Sequence, residues 1–334
     1  MRRVSTPVAF AAALLLLAGL VFLDLAYGSV RVGPGELLRV LAGGGDATAR
    51  EVVLGFRLPR VALAALVGGG LALAGALFQA LLRNPLAEPY ILGVSGGAAA
   101  GAVTVLAAGL AGAASAALPA AAFLGALLAV VLVFRVAVAA GGRLDVRVLL
   151  LAGVAIGVFF SAYITFVLAV SDADTVRGAV YWMMGALGDP GWPAVLVAAA
   201  YTLPACALAL ALARPLDLMA AGEESATYLG LKVEPTKRLA YGVASLLAAA
   251  GVAAAGVIGF VGLVVPHVVR LTAGSAHRRL LPISFVGGAA FLIGADLLAN
   301  VLLAPTRLPI GVATAFIGVP VFLVLLRRTL GASS

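Results

Sequence analysis

Leu239 to Arg270 reads LAYGVASLLAAAGVAAAGVIGFVGLVVPHVVR, with no Asp, Glu, Lys or Arg before Arg270 itself. An apolar run of about 20 residues crosses a membrane as a helix. This stretch is therefore one long span or two, and Ala253-Ala254-Ala255-Gly256 is the only break it offers. The flanks decide. Arg214, Lys232, Lys237 and Arg238 precede it, and Arg270, Arg278 and Arg279 follow. Two spans place both basic clusters on one side, and short positive loops face the cytoplasm. The reading is therefore two spans, 239–255 and 256–270. Working outward, 8–27, 61–82, 91–110, 115–139, 148–170, 192–213, 282–304 and 309–326 complete a set of ten. Alternation from a cytoplasmic N-terminus puts 15 of the 22 basic residues inside and 7 outside. Five of those seven lie in the one long outer segment, 28–60, where the charge rule acts weakly.

Composition points the same way. Of 334 residues, 63% are hydrophobic and only 11% charged, and the mean hydropathy is +1.17. That excludes a water-soluble enzyme and a disordered chain. Ten spans use roughly 200 residues, so residues 1–334 form a single transmembrane domain without room for a soluble catalytic one. The net charge of +8 is scattered between apolar runs, which fits membrane orientation and not nucleic-acid binding. Cys206 stands alone in an apolar run and reads as a packing residue. Arg2-Arg3, an apolar stretch and Ala26-Tyr27-Gly28 imitate a signal peptide, but the stretch is long and Tyr-Gly is a poor cleavage context. An uncleaved first helix is expected.

Small residues repeat at four-residue spacing in Gly93, Gly97 and Gly101, and again in Gly153 and Gly157. Such stripes let helices approach closely in lipid, and packing within the chain is the expectation. Asp24 and Asp296 are the only acidic residues inside the spans, each toward an outer end. Carriers driven by protons or sodium usually show ionisable groups near the midplane. What remains is a passive channel, an intramembrane enzyme or a permease energised from outside. The enzyme reading lacks a reactive set: His267 and His277 are the only histidines, and HExxH and GxxxxGK[ST] are missing. Catalytic, metal and cofactor residues are therefore expected to be none.

Four polar segments stand out. They are Arg57-Leu58-Pro59-Arg60; Arg83-Asn84-Pro85-Leu86-Ala87-Glu88-Pro89 with Leu92 to Gly97; Gly222 to Gly230; and Gly259 to Arg270. Asn-Pro and Glu-Pro favour an extended link. Gly222 and Gly230 bracket a short helix with Glu223 and Glu224 in its first turn, a favourable dipole arrangement. An ordered helix in a long inner loop, 214–238, is a natural docking surface.

In this order, the segments resemble the FecCD-type permease subunits of ABC importers for iron–siderophores, haem and cobalamin. The resemblance runs from Arg57 to Phe322 and is densest at Gly259–Leu263, Pro266-His267, Arg270, His277-Arg278, Leu281-Pro282, Asp296, Leu308–Gly311, Thr314 and Gly318–Phe322. It implies an all-α, polytopic membrane fold of about ten helices, of the type II ABC importer class. It implies a homodimer or pseudodimer in the bacterial or archaeal plasma (inner) membrane, two separate cytoplasmic ATPase subunits and an extracytoplasmic binding protein that delivers a metal chelate. Ferric siderophore is the first expected cargo, then haem and cobalamin. A passive channel or secondary carrier is the alternative.

By position, the resemblance makes Glu223, Glu224, Ala226, Leu229 and Gly230 the ATPase-coupling residues, within 214–238. It makes Arg57 and Arg60 binding-protein contacts, with interfacial snorkelling as the alternative. Asn84, Pro85, Pro266 and His267 become gate or turn candidates, His267 more as a turn stabiliser than a ligand. Asp145–Leu150 matches the inner gate region. Asp172, Asp174 and Asp189 read as a solvated outer loop. The chain departs from its relatives at Asn300, where an arginine is commoner, and at Arg307, where a glutamate is commoner. Either Arg307 has taken over a docking role beside Arg57 and Arg60, or it is a solvated loop residue.

Overall fold

The structure is a computed structural model that describes residues 5–28, 31–110, 116–139, 142–302 and 306–331. Arg2 and Arg3 and the ends of the loops at 111–115, 140–141 and 303–305 lie outside the described residues. Among the described residues fifteen α-helices follow one another: α1 (Thr6–Ala26), α2 (Pro34–Leu41), α3 (Ala47–Arg50), α4 (Leu58–Leu81), α5 (Val94–Ala107), α6 (Ala117–Ala139), α7 (Val146–Ala169), α8 (Ala173–Met183), α9 (Trp192–Ala211), α10 (Ala213–Ala220), α11 (Glu223–Tyr228), α12 (Val233–Ala255), α13 (Val261–Ala273), α14 (His277–Val301) and α15 (Ile310–Gly331). Among the described residues there is no strand.

Each of the ten expected spans contains a helix, but among the described residues seven are long and apolar enough to cross a membrane unaided. The short ones are α5, α13 and the apolar part of α15. For α5 and α13 the reason is that their spans are interrupted. The chain enters α5 through a 3-10 turn at Pro89–Leu92, and enters α13 through an extended stretch after Gly256, which sits at φ 69°. The break expected at Gly256 is there. The expected start of that span at residue 256 shifts to Val261.

The two interruptions meet. The Glu88 carboxylate accepts the Phe260 N–H at 2.8 Å, and the Tyr90 hydroxyl accepts the Ile258 N–H at 3.2 Å. Pro89 packs on Gly262, whose carbonyl abuts Gly75 of α4. Non-helical backbone at membrane depth survives only where protein satisfies it, and Glu88 and Tyr90 do so. Phe260 itself adopts φ 69°, the left-handed region that bulky residues avoid.

Helix α4 is the centre of the bundle, with 83% of its apolar window buried within the chain, against 11% for α1 and 22% for α7. Its composition explains why. A Cβ at Gly68 would overlap the Gly288 carbonyl of α14, and one at Gly75 would overlap the Gly262 carbonyl of α13. Glycine here permits backbone contact, which replaces hydrophobic driving force in lipid. The stripe at Gly97 and Gly101 packs on α6, and Gly93 lies against Gly153 and Gly157 of α7. Both stripes serve packing within the chain, as expected. Cys206 is buried.

The segments expected outside are more structured than plain loops. A π-helical turn, Glu51–Arg57, joins α3 to α4 without a gap. Pro59 cannot donate and crowds the carbonyl four residues back, and a widened turn relieves that conflict. Residues 171–191 contain the amphipathic α8, capped by Asp172, which accepts the Asp174 and Thr175 N–H groups. Those bonds from Thr175 hold the Asp172 carboxyl below the usual carboxylate range.

Candidate functional site

Two polar clusters sit at opposite ends of α4. From Arg60 to Leu81 the helix rises roughly 32 Å, close to the ~30 Å hydrocarbon core. Residues expected outside gather at one end and residues expected inside at the other.

At the first end, Arg60 makes a two-pronged ion pair with Asp296 on α14, at 2.7 and 2.8 Å. The same guanidinium reaches the Gly188 carbonyl and, at 3.4 Å, Asp189. Asp189 also receives Arg307 at 2.7 Å, and Asn300 donates to Asp296 at 3.2 Å. Arg57 donates to the Leu25 carbonyl at 2.7 Å, and buried Asp24 lies close by. The three arginines named from sequence thus share one site with Asp24, Asp189 and Asp296. Their exposure differs in a way sequence did not indicate. The Arg60 side chain is 11% exposed and committed to Asp296, whereas Arg307 is 48% exposed. Arg60 lies inside a continuous helix and has an internal partner in Asp296. Arg307 and Asn300 join the same cluster, so the two departures from the commoner pattern are neighbours in space.

At the other end, α10 and α11 form a ledge. Gly222 at φ 120° and Gly230 at φ 84° bracket α11, conformations costly for a residue with a Cβ. Glu223 turns inward to Arg83 at 3.4 Å and Lys237 at 3.5 Å. Ala226 is fully buried, while Glu224, Tyr228, Leu229 and Gly230 face solvent. The five residues assigned to coupling therefore split into an anchor (Glu223, Ala226) and an exposed edge (Glu224, Leu229, Gly230). Sequence reasoning missed the second anchor. Asp217 on α10 accepts both the backbone N–H and Nδ1 of His277, at 2.7 and 2.8 Å, fastening the ledge to the start of α14. A cavity of about 890 Å³ lies beneath, lined by Gln79, Arg83, Asp217, Arg270 and His277 among others.

The gate or turn candidates also meet. Asn84 Oδ1 accepts the Leu86 N–H at 2.9 Å, closing an Asx turn. His267 on α13 reaches the Pro85 backbone, and Pro266 is buried beside it. Gln79, not singled out from sequence, joins them. Its Nε2 lies 3.3–3.4 Å from the Ala87, Gly262 and Leu263 carbonyls, and its Oε1 accepts from Arg270 at 2.9 Å. Asp145 caps α7 through Arg147 and Val148 N–H groups, and the Leu144 N–H bonds Glu234 of α12. Among the described residues, no group of three or more His, Cys, Asp or Glu side chains could hold a metal.

The chain thus has a buried charge cluster at one end of α4, a fastened ledge at the other and interrupted helices between. The profile of the FecCD transport family matches residues 14–328. The chain belongs to the FecCD transport family. It is an all-α membrane transport subunit, not an enzyme. It is 45% identical over 84% of its length to the cobalamin import system permease protein of Halobacterium salinarum, covering 74% of that relative. It is 41% identical over 83% of its length to the hemin transport system permease protein of Yersinia pestis, covering 84% of it. A solved structure described as an inward-facing metal-chelate type ABC transporter superposes with a TM-score of 0.87 at 30% identity, over 96% of this FecCD chain and 99% of that one.

Proposed function

We propose that this FecCD chain is the membrane-spanning half of an ATP-driven importer that passes a metal chelate from an extracytoplasmic binding protein to the cytoplasm by alternating access. The family match over nearly the whole chain carries the reading. Cobalamin or haem moves ahead of ferric siderophore as the expected cargo, because the relatives compared are named for the first two. The chain works as a homodimer with two cytoplasmic ATPase subunits. Its N- and C-termini face the cytoplasm, which puts the α10–α11 ledge (within 214–238) on the ATPase side and the Arg60 cluster on the binding-protein side.

Each polar cluster then has a role. The exposed edge of Glu224, Leu229 and Gly230 meets the ATPase, while Glu223, Ala226 and the Asp217–His277 pair transmit its movement to α12 and α14. On the outer face, Arg57 and Arg307 meet carboxylates of the binding protein. Arg60 holds Asp296 and Asp189 and so sets where Arg307 points. Asn84, Pro85, Pro266 and His267 form the inner turn through which α4 and α13 move together. A passive channel or secondary carrier has no observation in its favour, since Asp296 is paired and Glu88 caps backbone. The test of cargo is uptake of a panel into proteoliposomes holding permease, ATPase and binding protein. Cobalamin or haem should be taken up, and transport of ferric siderophore alone would move the chain to the siderophore branch.

A further inference from the structure

Five charges of alternating sign run from the ledge to the first turns of α12. Arg83 lies 3.4 Å from Glu223, Glu223 3.5 Å from Lys237, Lys237 3.8 Å from Glu234, and Glu234 3.3 Å from Arg238. Arg83 and Arg238, at the two ends, are about half exposed, and ion pairs there contribute little. Lys237 in the middle is different: its side chain is 8% exposed. A buried ammonium keeps its partners, because leaving them strands the charge. Glu223 of α11 therefore cannot shift without drawing the first turns of α12 after it.

The far end of the row holds backbone. Glu234 accepts the Leu144 N–H at 2.6 Å, and Arg238, one turn further along α12, donates to the Gly142 carbonyl. Both bonds involve a charged group and are of the stronger kind. Leu144 is buried, so loss of its acceptor is costly. An acceptor and a donor one helical turn apart fix the orientation of residues 142–144 as well as their position. Asp145, next in the chain, caps α7 through the Arg147 and Val148 N–H groups. Helix α7 packs chiefly on α5, α6 and the 3-10 turn at Pro89–Leu92, so its tie to the ledge runs through residues 142–144.

We propose that Glu234 is the positioning residue through which displacement of the α10–α11 ledge reaches the start of α7. It acts through Lys237 on one side and through the 142–144 backbone on the other. The inference rests on the importer reading, in which an ATPase moves the ledge, and it names the residue that carries the movement beyond α12.

The test uses the permease–ATPase complex in nanodiscs, with Cys206 replaced by alanine and one exposed reporter cysteine at a time. The reporters are Ala221→Cys on the ledge and Arg147→Cys in the first turn of α7, and the rate of maleimide modification is read with and without ATP. Both should respond to ATP in the parent chain. Glu234→Gln keeps an acceptor for the Leu144 N–H but gives up the ion pairs to Lys237 and Arg238, so a residue that only braces Leu144 would tolerate it. A relay would not. The response at Arg147→Cys should fall about threefold or more, the size of effect that removing one coupled contact produces. Ala221→Cys should still respond, and thermal stability should stay close to that of the parent. An undiminished Arg147→Cys response in Glu234→Gln would overturn the proposal, as would a parent chain in which only Ala221→Cys responds. If Glu234→Gln does not fold, Arg238→Met frees the Gly142 carbonyl from a half-exposed position and decides on the same outcomes. Silence at both reporters in the parent chain would overturn the importer reading, and the relay with it.

Discussion

Three side chains decide most of what the structure adds at the scale of single residues. Arg60 and Asp296 are 236 positions apart, so no local pattern could pair them, although Arg60 was legible in the Arg57–Arg60 segment and Asp296 as an acidic residue within a span. Removing one partner of a buried pair strands the other charge, at a cost of about 3–5 kcal/mol. Asp296→Ala should therefore lower thermal stability in detergent well beyond Asp189→Ala, whose carboxylate is half exposed. Equal effects would mean that Arg60 finds another partner. Glu88 was legible only as part of an Asn-Pro…Glu-Pro link, and its work as a cap on Phe260 needed the fold. Glu88→Ala leaves that N–H without an acceptor at membrane depth, costing about 1–3 kcal/mol. Glu88→Gln keeps an acceptor and should retain both stability and uptake. If Gln is as damaging as Ala, the charge and not the hydrogen bond is what matters.

Among elements, the ledge of α10 and α11 shows what sequence can and cannot reach. Its boundaries were legible because Gly222 and Gly230 carry backbone conformations that only glycine adopts cheaply. The inward turn of Glu223 was not, since Lys237 and Arg83 lie on other helices. The two acidic residues should accordingly separate on mutation. Glu224→Lys should weaken ATPase binding, because a reversed charge at a docking rim acts on association and its salt dependence, and leave stability unchanged. Glu223→Lys should destabilise the ledge before it affects binding. Asp217→Asn should loosen the bond to His277, so that ATP is hydrolysed with less uptake per turnover. Undiminished uptake per ATP in Asp217→Asn would remove the pair from the transmission path. The interrupted helices α5 and α13 mark the opposite limit. Hydropathy reports apolar length, and length alone does not reveal that two spans break at the same depth and satisfy each other through Glu88 and Tyr90.

For the molecule as a whole, all-α architecture and membrane residence follow from composition, and the ten segments follow from apolar runs and basic loops. The central position of α4 follows less directly from its glycines. Sidedness has its own test: single cysteines in 222–230 and in 171–191, in a chain lacking Cys206, should react from opposite faces of the membrane. Reaction of both from one face would undo the orientation. The central claim is that this chain moves cargo only when an ATPase drives it. Its most direct test is chelate flux into proteoliposomes holding the purified chain alone, compared with the chain plus ATPase and binding protein, each with and without ATP inside the vesicle-accessible ATPase compartment. The account predicts accumulation only with all three proteins and ATP. Chelate flux through the chain alone, without ATP, would contradict it and make the protein a channel or a carrier.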